Sequence, residues 1–304
     1  MKISYLLVTK NNSKTLEKTL KSLPGKILAI DLNSNDNTLD ILKKYNVEYL
    51  TKSLDRQNAR NELTKIAETE WVFHIEPWEI LAETIKSTES GYVQIFNNTL
   101  ITKETRFWNK KQFNLNFENP LYPQVPDHIK NDSGAILSSS GPNLTLEEGL
   151  EIIEKWSKSE PKNKFIPYYK SFLYWDNKQY KQFISAAEEY LYFKNQPTTE
   201  VLNLKYCLAN VYFYVNNNPK KATEVIMECI VTQPSMAEYW CFMGDILSFL
   251  GKYDKAKAFY NNALIVGEKR ENDWNSIEID KYKEYPVKKI AMCQEIIQQT
   301  LNNV

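Results

Sequence analysis

Residues 3–38 read ISYLLVTKNNSKTLEKTLKSLPGKILAIDLNSNDNT. Two short apolar runs, "ISYLLVT" and "KILAIDL", each end in a polar turn and are separated by the helical pattern "SKTLEKTLKSL". The same alternation continues outward: "NTLDILKKY" is a helix, "VEYLT" a short strand, "DRQNARNELTKIAE" a helix and "EWVFHIE" a strand. A β-α-β-α-β-α-β order predicts a parallel sheet covered by helices. Ligands of such sheets sit at the carboxyl ends of the strands. Thr9, Lys10 and Asn11, residues 31–36 and residues 76–79 all fall at those ends, so they are expected to meet in one crevice.

Composition bounds the rest. The chain has 304 residues, 42% apolar and 25% charged, long enough for two modest domains. Its 38 basic and 38 acidic residues balance, which argues against nucleic acid or an anionic membrane as a global electrostatic partner. No apolar run is long enough to cross a bilayer, and the opening "MKISYLLVTKNN" lacks an extended apolar segment and a cleavage site. A cytoplasmic protein without a transmembrane segment is expected. The four cysteines, Cys207, Cys229, Cys241 and Cys293, lack metal-ligand spacing and read as free buried thiols.

From residue 91 to about 143, "GYVQIFNN", "TRFWNKKQFNLNF" and "GAILSSSGPN" suggest antiparallel strands and loops, and the Ser, Gly and Pro of "SSSGPN" mark a boundary. Domains at 1–143 and 144–304 are expected. The second is helical and repetitive. Trp240, Gly244, Gly251, Tyr253, Ala256, Tyr260 and Ala263 have the spacing of a tetratricopeptide repeat. Stepping back 34 residues places Tyr206, Asn210, Ala222, Ile226 and Cys229 at equivalent positions, with Pro234 as the closing proline. "NKQYKQFISAAEEY" anchors an earlier, divergent unit, and helices over 147–158 and 286–301 are expected to cap the array. Tyr206, Tyr212, Tyr239 and Phe242 predict an aromatic-rich inner surface, most of it core.

Three segments of the first half resemble family 2 glycosyltransferases of GT-A fold. "YLLVTKNNSKTLEKTLKSL" is similar to the family's opening strand, Lys-Asn turn and helix. "IDLNSNDNTLDILKKY" is close to its Asp-x-x-Ser-x-Asp-x-Thr segment, here Asp31, Ser34, Asp36 and Thr38. "DRQNARNELTKIAETEWVFHIEPWE" looks like the helix bearing Ala59, Arg60 and Asn61 and the strand leading to the metal motif. The likeness covers roughly residues 1–125, since "ETRFWNKKQFNLNFENPLYPQV" also resembles the acceptor-side strands. It implies an α/β GT-A-like domain that binds a nucleotide-sugar, a UDP-sugar foremost, followed by an all-α tetratricopeptide-repeat domain.

The resemblance implies that Asp31 binds the nucleoside, Thr9 and Asn11 frame the base, Ser34 and Asp36 belong to the same nucleotide-binding segment, and Arg60 faces the phosphates or fixes the loop. Asp36 also reads as a cap for the following helix. A Mn²⁺ or Mg²⁺ ion would be held by the family's Asp-x-Asp, which here reads Glu76, Pro77, Trp78. Glu76 keeps a carboxylate, an indole has no lone pair to give a cation, and Glu79 stands one residue further on. Where a His-Glu pair is expected after "NFENPL" stand Tyr122 and Pro123, so the candidates for a base are Asp127, His128, Glu118 and His74. His74, in mid-strand, also reads as a core histidine. Three readings stay open. One is a hexosyltransferase acting on a peptide, protein or glycan, with Glu76 and Glu79 at the metal. A second is an inactive scaffold whose repeats bind a partner protein or a second copy of the chain. The third is a metal-independent transferase using Lys10, Arg56 or Arg60.

Overall fold

The structure, a computed structural model, describes residues 2–82, 85, 89–97, 100–118, 132–138, 145–193, 198–268 and 276–302. The chain divides into two compact units, Met1–Asn143 and Leu144–Val304.

The first unit opens with β1 (Ile3–Thr9), α1 (Leu16–Ser22), β2 (Lys26–Asp31), α2 (Thr38–Lys44), β3 (Glu48–Thr51), α3 (Arg56–Ile66) and β4 (Trp71–Ile75). Strands β1 to β4 are mutually parallel, in the order β3-β2-β1-β4. Their side chains alternate between two cores, as a period of two requires. Tyr5, Leu7, Ala29, Phe73 and Ile75 join Leu16, Leu20 and Leu42 of α1 and α2 on one face. Leu6, Val8, Leu28, Ile30 and Val72 join Ala59 and Leu63 of α3 on the other.

The chain therefore winds from β1 outward through β2 to β3 and returns on the far side of β1 to form β4. This reversal makes a switch point between β1 and β4, where open α/β sheets leave a crevice at the strands' carboxyl ends. Register places Thr9 beside Asp31, Asp31 beside Thr51, and Ile75 beside Leu7. The turns after β1, β2 and β4 thus share one edge.

Beyond β4 the sheet continues through β5 (Glu79–Leu81), β6 (Gly91–Asn97), β7 (Leu100–Asn109) and β8 (Asp132–Ser138), giving the order β4-β7-β6-β8-β5. Strand β7 is antiparallel to β4 and β6, and β5 is antiparallel to β8. Strand β8 runs parallel to β6, which corrects the expectation of antiparallel strands alone. The stretch between β7 and β8 is long enough for the crossover that a parallel neighbour requires. The three-residue β5 is too short to leave a pattern in the sequence.

The second unit comprises α4 (Leu146–Ser159), α5 (Phe165–Asp176), α6 (Tyr180–Tyr192), α7 (Thr198–Asn210), α8 (Pro219–Thr232), α9 (Ala237–Phe249), α10 (Tyr253–Glu268) and α11 (Glu284–Asn302). Helix α4 begins with a reciprocal capping box between Thr145 and Glu148. Successive pairs α5/α6, α7/α8 and α9/α10 form hairpins. The turns between their helices carry left-handed residues, Lys178 (φ 57°), Asn217 (φ 46°) and Gly251 (φ 70°). Asn217 and Gly251 lie one 34-residue step apart, so the backbone repeats where the side chains do. A π-helical turn, Val211–Val215, extends α7 before Asn217.

The packing explains the small residues. A Cβ at Gly244 of α9 would lie 2.5 Å from the ring of Tyr260 on α10, so glycine lets the two helices approach. Tyr212, Tyr239 and Phe242 are buried, and Cys229, Cys241 and Cys293 with them, while Cys207 is half-buried. Burial pushes the Cys207 and Cys229 thiols up to about 12. Tyr206 is half-buried and donates to Glu278, in the segment 276–282 that follows α10. Glu238 of α9 accepts from the Glu278 amide (2.8 Å) and the Tyr282 hydroxyl (2.5 Å), tying that segment to the repeat. Among the described residues, no helix is long and apolar enough to cross a membrane.

Candidate functional site

Two polar clusters stand at the carboxyl edge of the parallel strands. The first joins the turns after β1 and β2. Asn11 is left-handed (φ 54°), as is Asn33 (φ 55°), and the two turns exchange hydrogen bonds: the Asn11 amide donates to Ser34 Oγ and the Asn35 amide to Asn11 Oδ1, each at 2.8 Å. The Thr9 hydroxyl donates to Asn12 Oδ1 (3.0 Å), and the Asn12 amide donates to the Thr38 hydroxyl (2.9 Å).

Asp31 is fully buried. One carboxylate oxygen accepts the Ser34 amide (2.9 Å) and the other the Ser34 hydroxyl (2.5 Å). Asp36 is half-buried and accepts the amides of Ser13 (3.1 Å) and Thr38 (3.0 Å), linking the start of α2 to the turn before α1. Burial raises the Asp36 pKa, but the bonds from Ser13 and Thr38 outweigh it and hold it at about 2. The structure thus brings Thr9, Asn11, Asp31, Ser34 and Asp36 together, as a network whose carboxylates bond to their own loops.

The second cluster holds Glu76 and Glu79. After β4 the chain turns at Pro77 and the Glu79 amide returns to the Glu76 carbonyl (3.0 Å), which swings Glu79 inward. Both carboxylates are buried, 5% and 2% exposed. Glu79 Oε2 accepts the Glu76 amide at 2.8 Å. Three arginines meet them: Arg60 of α3 pairs with Glu76 Oε1, Arg106 of β7 lies 3.5 Å from Glu76 and 3.4 Å from Glu79, and Arg56 of α3 stands 3.8 Å from Glu76. Glu104 completes the set, 2.7 Å from Arg106.

Burial disfavours the charged forms of Glu76, Glu79 and Arg106, and the partners decide the outcome. Glu76, facing three guanidinium groups, ends below the usual carboxylate range. Burial dominates at Glu79; Arg106 offsets it in part and the Glu76 charge adds to it, so its pKa rises to about 7. Arg106 is lowered by burial but raised above its ordinary value by Glu104, Glu79 and Glu76.

These residues do not fit a divalent cation. The oxygens of Glu76 and Glu79 already face guanidinium groups or an amide, and Trp78 offers no lone pair. A dication about 4 Å from one of the arginines is repelled by about 8 kcal/mol at an effective dielectric constant of about 20. Among the described residues, no group of three or more His, Cys, Asp or Glu side chains is placed to hold a metal. Trp78 presents its ring to a cation of the protein itself, the Arg56 guanidinium, 5.6 Å from the ring centroid.

Arg60 lies with its guanidinium 5.1 Å from the centre of the Phe117 ring, and Asn61 grips the Phe117 backbone from both sides, accepting its amide (2.7 Å) and donating to its carbonyl (3.1 Å). The Arg60-Asn61 pair therefore fixes the loop after β7. His74 is a core histidine: it stacks on Trp108, and its Nε2 lies 2.8 Å from the Thr64 hydroxyl. Burial, with Arg60 and Arg106 nearby, holds its pKa well below 6.5. Glu118 is exposed. Asp127 and His128, like Tyr122 and Pro123, lie outside the described residues. Sequence reasoning missed Arg106 and Glu104. Their signal was a Glu and an Arg on alternate residues of β7, and so on one face of the strand, with Arg106 directly before the buried Phe107 and Trp108.

By fold, the chain is an α/β sheet region followed by a helical region of tetratricopeptide type. The tetratricopeptide repeat family model matches residues 237–264. The poly(ribitol-phosphate) beta-N-acetylglucosaminyltransferase TarP of Staphylococcus aureus (strain N315) is 30% identical over 115 residues, 33% of this chain and 35% of TarP. The match thus spans about a third of that relative's length, a weak similarity to a glycosyltransferase. Among solved structures, S. aureus TarS is 14% identical with a TM-score of 0.36, covering 95% of this chain and 55% of TarS. MamA is 15% identical with a TM-score of 0.36, covering 52% of this chain and 91% of MamA.

Proposed function

We propose that the first unit binds a nucleotide-sugar, a UDP-sugar foremost, and transfers its sugar to a peptide, protein or glycan, as a family 2, GT-A-like transferase. The carrying observation is the meeting of the turns after β1, β2 and β4 on one edge, at the switch point of a doubly wound sheet. The sequence similarity to TarP supports a sugar-transferring role. In this reading the acceptor hydroxyl attacks the anomeric carbon, the glycosyl–phosphate bond breaks and the nucleoside diphosphate leaves. Asp127 is the proposed base, and the repeats hold the acceptor or a second copy of the chain.

A second reading is a scaffold without activity, whose repeats bind a partner protein. The observation favouring it is the complete burial of Asp31 against its own loop. Nucleoside diphosphate release from UDP-, GDP- and dTDP-sugars, measured with and without mixed peptide and glycan acceptors, separates the two. Acceptor-stimulated release supports the transferase, and its absence for all three donors supports the scaffold.

A further inference from the structure

We infer that this edge neutralises the phosphates of its nucleotide with Arg56, seated on Trp78, and takes up no divalent cation in doing so. The inference rests on the nucleotide reading above and concerns how that ligand is held.

Arg56 is the first residue of α3, which starts at the same sheet edge as the turns described above. Its side chain is 22% exposed, placing the guanidinium between interior and solvent. Arg60 and Arg106 are committed to buried carboxylates. Arg56 differs from them: its Nη1 pairs with Glu76 only at 3.8 Å, and it makes no hydrogen bond among the described residues. The Arg56 guanidinium is therefore held less tightly by carboxylates than those of Arg60 and Arg106, and the exposed part of its side chain leaves it able to meet an anion at the edge.

Trp78 supplies the second, independent observation. It occupies the position where a metal-binding carboxylate is expected, and its ring lies against the Arg56 guanidinium. A ring beside the guanidinium engages its charge without using its N–H donors, and a planar guanidinium suits bidentate contact with a phosphate. A dication would have to enter among arginines already paired with the only carboxylates described at this turn, Glu76 and Glu79.

The test is calorimetric titration of the full chain with UDP, in EDTA and in excess Mn²⁺, with Arg56→Gln, Arg56→Lys and Trp78→Leu variants checked for folding by circular dichroism. UDP is expected to bind in EDTA, with an affinity that Mn²⁺ changes by less than tenfold. Arg56→Gln is expected to weaken binding in EDTA by about tenfold or more, the loss of one charge-assisted contact. Arg56→Lys, which keeps the charge but not the fork, should fall between. Trp78→Leu should weaken binding without restoring any dependence on metal. A gain of tenfold or more with Mn²⁺, or an unchanged affinity in Arg56→Gln, overturns the inference and leaves the nucleotide reading standing. No binding of UDP under either condition, nor of GDP or dTDP titrated in the same way, overturns both.

Discussion

Replacing Arg106 by Met tests the electrostatics of the sheet edge most directly. The side chain is 8% exposed, and its guanidinium lies 2.7 Å from Glu104, 3.4 Å from Glu79 and 3.5 Å from Glu76. Methionine keeps the bulk and removes the charge. Breaking a buried ion pair by deleting one partner costs about 3–5 kcal/mol, because the other charge stays buried without compensation. Glu76 retains Arg60 and Arg56, so most of the penalty falls on Glu79. Glu79 escapes part of it by taking a proton, its pKa already lying about 7, which favours the lower end, about 3 kcal/mol. Hydrogen exchange of the β1 and β4 amides reports the opening of this unit separately from the repeats. At about 1.4 kcal/mol per decade, protection should fall by about 100-fold. Adding Glu79→Gln removes the stranded carboxylate and should recover at least about 0.5 kcal/mol relative to the sum of the single variants. A loss under about fivefold, or strict additivity, would refute the claim that Arg106 offsets the cost of burying these carboxylates.

Gly244→Ala should destabilise the α9/α10 hairpin by about 1–2 kcal/mol, overpacking against the Tyr260 ring outweighing the gain in helix propensity, and exchange of α9 amides reads it. In Gly251→Ala the left-handed turn at φ 70° costs about 1–2 kcal/mol with no clash at all, read the same way at α10. His74 and Glu79 act in opposite directions with pH. The lowered His74 pKa makes the fold lose stability as pH falls below about 6.5, whereas the raised Glu79 pKa makes it lose stability as pH rises from about 4.5 through 7, with Arg106, Glu76 and Glu104 facing the group. Urea midpoints from pH 4.5 to 7.5 should therefore rise more steeply with pH in Glu79→Gln and less steeply in His74→Gln than in the parent; identical profiles would contradict both assignments. Asp31→Ala should abolish nucleotide binding in calorimetric titration while leaving the helical circular dichroism of the repeats intact, and an unchanged affinity removes Asp31 from the site.

Much of the architecture is legible in short windows of sequence. The strands and helices of residues 3–75 follow from apolar periods of two and of about 3.6, which are local properties of backbone geometry. The repeats follow from recurrence every 34 residues, and even their turn residues, Asn217 and Gly251, keep that step. The segments expected to form the nucleotide edge also converge, because parallel strands must place their carboxyl ends together.

What local pattern cannot convey is which charges meet. Glu76 is read from the sequence as a metal ligand because it keeps a carboxylate at the first position of the resembled Asp-x-Asp; in the fold its neighbours are Arg60, Arg56 and Arg106. These come from a helix 16 to 20 positions back and from a strand 30 positions ahead, joined only because β7 pairs with β4 and α3 covers the adjacent face. Asp31 likewise has the residue type of a ligand-binding carboxylate, and only the closure of its loop onto Ser34 commits both oxygens. The sequence by itself determined the elements, their order and the residues available at the edge, since propensity and periodicity act within a few residues. Tertiary structure decided how those residues are charged and to whom they are bound, because burial and Coulomb interactions depend on distances in space that the chain order does not contain.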